Sequence, residues 1–137
     1  MDINFFKKVR ILDGGMGQEL LSNGLIAKGT LWSSTALLEE KCHDLVVDTH
    51  LSFIQSGADV IITNNFSSRR QRLIQNNIEN KFDYLNKKAG ELAIKARDKS
   101  KKNILIAGSL PGQNDTYVAD EREISLIKKN FYDQANI

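Results

Sequence analysis

The stretch that most constrains the fold is Ile11-Leu12-Asp13-Gly14-Gly15-Met16-Gly17. A short apolar run, Val9 to Leu12 with Arg10 inside it, reads as a buried strand, stops at a carboxylate and is followed by three glycines within four residues. Glycine admits φ > 0 and lets a ligand or another backbone come close. A carboxylate at a strand's C-terminal end, followed by such a turn, is where open and closed α/β folds place their chemistry. The competing reading is a tight strand-to-helix turn in which Asp13 holds loop amides. Phosphate-loop readings fail on the residues. The dinucleotide fingerprint needs a small residue at position 20, which is Leu20, and the P-loop needs a Gly-Lys-Ser/Thr that is missing.

Two further runs end in the same way. Asp59-Val60-Ile61-Ile62-Thr63 is a continuous β-branched run suited to a parallel strand covered on both faces, and it gives way to Asn64, Asn65, Phe66 and Ser67. Ile104 to Ala107 is a third apolar run, ending at Gly108-Ser109. Helical patterns fill the intervals. Gln18 to Ser22 is a short helix closed by Asn23-Gly24. Ala36 to Ser56 reads as one helix with Leu38, Cys42, Leu45, Thr49 and Phe53 on a shared face, ended by Gly57. The segment 69–80 is polar and helical in part, and Phe82, Leu85, Ala89, Leu92 and Ala96 mark a second amphipathic helix. Asp120-Glu121-Arg122-Glu123 resembles a capping box ahead of a third apolar face at Ile124, Ile127 and Phe131. Strands alternating with helices predict an α/β fold with a parallel sheet in strand order 1-2-3, and put Asp13, Thr63 and Ser109 at one sheet edge.

Composition narrows the function classes. With 137 residues, 41% apolar and 26% charged, the chain fits one ordinary globular domain. A net charge of +2 gives no electrostatic case for nucleic acid or a membrane surface. No run approaches the length of a membrane span, and Met1-Asp2-Ile3-Asn4 has no apolar leader core, so a cytoplasmic protein is expected. The single cysteine, Cys42, cannot form an intramolecular disulfide and reads as core. His43 and His50 have no acidic partner at metal spacing and read as structural. Trp32 is either a ligand wall or core.

Four motifs fall in order along the chain. They are Leu12-Asp13-Gly14-Gly15-Met16-Gly17, Leu31-Trp32-Ser33, Ser56-Gly57-Ala58-Asp59-Val60-Ile61 with Thr63-Asn64-Asn65-Phe66, and Ala107-Gly108-Ser109-Leu110-Pro111. At these spacings they resemble the homocysteine S-methyltransferase family, and Asp115-Thr116-Tyr117 with Asp120 is similar to that family's motif after the third strand. The resemblance runs from about Val9 to Ala135. Family members are zinc-dependent (βα)₈ TIM barrels, a fold of on the order of 250 residues. They pass a methyl group to the thiol of homocysteine, giving methionine, from donors of the S-adenosylmethionine, S-methylmethionine or betaine type. The resemblance therefore implies a partial barrel, about the first three βα units, as one incomplete domain over residues 1–137.

It also implies site roles. Asp13, Gly14 and Gly15 resemble the turn that holds the amino acid part of homocysteine, and Trp32 resembles an aromatic lining the site. Thr63 and Phe66 resemble the second strand's contribution, Asn65 stands where the family usually has Thr, and Ser109 ends the third strand. The family's zinc ligands, three cysteines late in the barrel, have no counterpart here, so no catalytic or metal residue is expected. A thiol of pKa about 8.5 is mostly protonated at neutral pH, and zinc is what makes it a thiolate in this chemistry. The chain is thus expected to be inactive alone and to need a partner chain supplying the rest of the barrel. The alternatives are a non-catalytic binding or assembly module, or one half of a split enzyme.

Overall fold

The computed structural model describes residues 3–137; Met1 and Asp2, half of the leader reading above, lie outside the described residues. Two short strands form its parallel sheet, β1 (Val60–Ile62) and β2 (Leu105–Ala107), with Val60 opposite Leu105 and Ile62 opposite Ala107. Both come from the apolar runs singled out above.

The run 9–12 does not form the expected strand. It contributes one isolated parallel bridge, Leu12 to Val60, flanked by Val60 N–H donating to the Ile11 carbonyl (3.2 Å) and Asp13 N–H donating to the Val60 carbonyl (3.0 Å). The ladder stops there for two reasons. The Asp59 carboxylate accepts the Ile11 N–H at 2.9 Å, and Arg10 reaches that carboxylate at 3.5 Å. Among the described residues no strand pairs with the other side of the segment, and Val9 is 95% and Ile11 58% exposed.

The helices are α1 (Met16–Ser22), α2 (Thr35–Leu38), α3 (His43–Gln55), α4 (Arg70–Gln75), α5 (Phe82–Ser100) and α6 (Ile124–Ala135). The expected single helix over 36–56 is broken at Glu39, which is extended (φ −100°, ψ 106°) and paired with Lys28 and Lys41. The expected stripe packs against the core with Thr49 buried, but it forms the edge of the buried face rather than its centre. Leu38, Cys42, Leu45 and Phe53 are only half-buried, while Val46, Val47, His50, Leu51 and Ile54 are buried. Helix α5 follows its pattern: Phe82, Leu85, Ala89, Leu92 and Ala96 are all buried, and α3 packs along it.

The capping box does not form. Glu123 precedes α6 without a side-chain cap, and Asp120 grips the Arg122 guanidinium instead, at 2.7 and 2.5 Å. Nor does α6 bury its apolar face. Ile124 is 68% exposed, and the buried residues are Asn130 and Gln134. Gln134 faces a cluster of buried amides, which takes the place of an apolar contact. Among the described residues no helix is long and apolar enough to cross a membrane.

Candidate functional site

The turn after Leu12 is held by its own carboxylate. Ile62 N–H donates to Asp13 Oδ2 at 2.7 Å, so the side chain ties the turn to the end of β1. This is the structural role anticipated for Asp13, and it uses only one oxygen. Oδ1 is buried and has no hydrogen-bond partner. Burial pushes the Asp13 carboxyl above its ordinary pKa, against the opposing pull of the Ile62 amide.

Of the two glycines beside it, packing requires Gly14. A side chain at Gly14 would place its Cβ 2.9 Å from Phe53 Cε1 of α3. Gly15 has room around it, and its carbonyl accepts the Glu19 N–H at 3.0 Å to start α1.

A cavity of about 270 Å³ opens above this turn. It brings together Asp13, Gly14, Gly15, Trp32, Thr63, Phe66 and Ser109. Asn65 does not line it. Its amide faces the other way, donating to Asn86 Oδ1 (2.8 Å) and the Ser109 carbonyl (3.1 Å). Its oxygen accepts from the Thr63 hydroxyl (2.7 Å) and the Ser109 N–H (3.2 Å). Asn65 thus fixes Thr63 and Ser109 from behind. The strand has already ended at Ile62, and the chain turns at Asn65 (φ −105°, ψ 13°), which separates its side chain from that of Thr63.

Sequence reasoning missed Asn64 and Ser33, which also line the cavity. Asn64 Nδ2 donates to the Ser33 carbonyl at 3.1 Å and ties the end of β1 to the Trp32 segment. The only signal available was the neighbouring pair of asparagines in the Thr-Asn-Asn motif. Phe66 forms the wall shared with a second cavity of about 260 Å³ under residues 112–118. There Asp115, from the motif after the third run, pairs with Arg72 at 2.9 Å.

The residues present do not fit a zinc site. Among the described residues no three His, Cys, Asp or Glu side chains group to hold a metal. Cys42 lines a separate cleft with Leu25, Lys28 and Glu39, and His43 Nε2 bonds the Leu37 carbonyl at 3.0 Å.

Comparisons with known proteins identify the family. The homocysteine S-methyltransferase family model matches residues 10–137. The chain is 30% identical over 122 residues to the homocysteine S-methyltransferase of Escherichia coli (strain K12), covering 84% of this chain and 38% of that protein. It is 26% identical over 127 residues to homocysteine S-methyltransferase 1 of Brassica oleracea var. italica, again covering 84% of this chain and 38% of that one. It is 29% identical over 138 residues to a selenocysteine methyltransferase of Astragalus bisulcatus, covering 86% of this chain and 40% of the relative. Its fold superimposes on the crystal structure of the metallated homocysteine methyltransferase MmuM from Escherichia coli with a TM-score of 0.65 and 29% identity, over 77% of this chain and 39% of that one. The chain therefore spans well under half the length of these proteins, and the matched part includes every motif from the Asp13 turn onward. It belongs to the homocysteine S-methyltransferase family.

Proposed function

We propose that this chain supplies the edge of a homocysteine S-methyltransferase barrel that binds the amino acid part of homocysteine. The observation that carries the reading is the buried, unpartnered Oδ1 of Asp13 beside the cavity. An ammonium group donating to that oxygen would satisfy it and favour the ionised carboxylate, offsetting the burial that raises its pKa. Thr63 and Ser109 offer polar contacts, and Trp32 and Phe66 supply apolar walls for a short thioether or thiol side chain. Zinc, where bound in the family, makes the homocysteine thiol a nucleophile; the side chains here do not fit it, so that step belongs to sequence outside these 137 residues.

The open side of the sheet requires a partner. Leu12 is 59% and Val9 95% exposed beside backbone groups that lack a second strand. Such an edge is a template for pairing, and a barrel removes it by closing. The first three βα units in strand order 1-2-3 would then continue into later units supplied by other sequence. The experiment is co-expression with the part of the Escherichia coli homocysteine S-methyltransferase that follows the matched region. The co-purified pair should transfer methyl from S-methylmethionine to homocysteine, and neither piece alone should do so. A soluble pair without activity would favour the non-catalytic module instead.

Two variants probe the site more locally. Asp13→Asn keeps an acceptor for Ile62 but loses the charge, so L-homocysteine binding should weaken by about tenfold or more, the worth of one charge-assisted hydrogen bond. Stability should hold or rise at neutral pH. A carboxyl whose folded pKa is raised makes the native state less stable as pH rises through its titration, and Asn removes that loss. Chemical denaturation alongside calorimetric titration separates the two effects. For metal, dialysed chain should retain no stoichiometric zinc, and Cys42→Ser should change nothing. One tightly held zinc per chain, lost in Cys42→Ser, would overturn the reading of Cys42.

A further inference from the structure

We infer that Gly17 sets the width of the Asp13 cavity by letting the Trp32 indole lie directly on helix α1. A Cβ at Gly17 would stand 2.7, 2.8 and 3.0 Å from Cη2, Cζ2 and Cζ3 of the indole. Side-chain carbons do not approach that closely, so any larger residue must displace either the helix or the ring.

The helix is the less free of the two. Leu20, one turn on, is fully buried in the core, and the start of α1 is tied to the Asp13 turn. The Trp32 backbone is fixed as well. It sits at φ 46° and ψ −123°, a left-handed conformation disfavoured for a residue with a Cβ. Its neighbours hold it there. Leu31, Ser33 and Ser34 are buried, Asn64 bonds the Ser33 carbonyl, and Ser34 shares a hydrogen bond with Ser68 at 3.0 Å. What can move is the ring, by rotation about its side-chain bonds. With α1 behind it, the open direction is the cavity that Trp32 already lines.

Glycine is a poor choice inside a helix on propensity alone, and Gly17 is buried in the first turn of α1. The Trp32 contact gives it a reason. Gly17 is thus a specificity-determining position: it keeps the aromatic wall back and leaves room for the ligand's side chain. The position of the ring stands on geometry alone, whereas its effect on ligand size rests on the function proposed above.

The chain contains one tryptophan, so its fluorescence reports this ring alone. In ligand-free Gly17→Ala the emission maximum should shift to the red and acrylamide quenching should rise, with the far-ultraviolet circular dichroism unchanged. L-Methionine, longer by one methyl than L-homocysteine, should bind about tenfold more weakly than to the parent chain, the size expected of overpacking, and homocysteine should lose less. If Gly17→Ala does not fold, Gly17→Ala combined with Trp32→Phe decides, because phenylalanine lacks the outer indole atoms. That double variant should melt where Trp32→Phe does. Unchanged emission and quenching in a folded Gly17→Ala, or a double variant as unfolded as the single one, overturns the inference. Failure of both amino acids to bind the parent chain, with the fluorescence shift still present, would refute the proposed function and leave the role of Gly17 standing.

Discussion

Between pH 6.5 and about 4 the protein should lose about 3 kcal/mol of stability through one side chain, His50. His50 lies in α3 at 0% exposure, with neither ring nitrogen hydrogen-bonded. Burial pushes its pKa from 6.5 down to about 4. The unfolded chain then binds a proton in this window that the native state refuses, so stability falls as pH falls through it. Other groups act elsewhere. Glu39, Asp44, Asp120 and Asp133 are held below the ordinary carboxylate range by their Lys and Arg partners, so their contributions are lost at lower pH than that of His50. Raised Asp13 works in the opposite direction, favouring the native state in acid. Urea unfolding at a series of pH values should therefore show a fall that His50→Leu abolishes. That variant should also be more stable than the parent at pH 7, since two buried polar atoms without partners cost about 1–3 kcal/mol each. Parallel curves for the two proteins would mean that His50 is hydrated or partnered in solution.

Asn65→Ala should destabilise the chain by about 3 kcal/mol or more, the sum expected when a buried amide that makes four hydrogen bonds is truncated. Asn65 is 7% exposed and its side-chain amide makes four hydrogen bonds, to Thr63, Asn86 and both backbone groups of Ser109. Truncation leaves the Ser109 carbonyl without its partner and the Thr63 hydroxyl without its acceptor, although Thr63 Oγ1 still accepts the Ser109 N–H at 3.1 Å. The Asn86 oxygen keeps only the Gln134 amide, at 3.2 Å, while its nitrogen still donates to the Ser68 and Phe82 carbonyls. Asn65→Asp is no rescue, because a carboxylate would face two carbonyl oxygens. Threonine, the usual family residue by resemblance, is too short to span Asn86 and Ser109 together. A shift in urea midpoint at constant slope measures the effect, and a loss below about 1 kcal/mol would show that water replaces these bonds.

These two residues also show where legibility ends. The Asp13 turn could be read because a carboxylate followed by glycines is a local pattern, and the cavity over it contains seven of the eight residues singled out. Helix α5 could be read because one unbroken phase runs through its 19 residues. Asn65 stands behind the cavity because β1 stops at Ile62 and the chain turns at Asn65, which a polar run does not reveal. The break at Glu39 depends on Lys28, eleven positions away, and glutamate is itself a good helix former. The buried polar side of α6 answers to Asn86 and Gln113, 48 and 21 positions distant, so no periodicity near Gln134 announces it. The left-handed Trp32 lies in Leu-Trp-Ser-Ser, a sequence with no turn signal.

The most direct test of the central claim is a fluorescence titration of Trp32 with L-homocysteine, in the parent chain and in Asp13→Asn. The account predicts a saturable change in emission for the parent and its loss in Asp13→Asn, with both proteins folded by circular dichroism. An equal response in Asp13→Asn, or none in a folded parent chain, would contradict it.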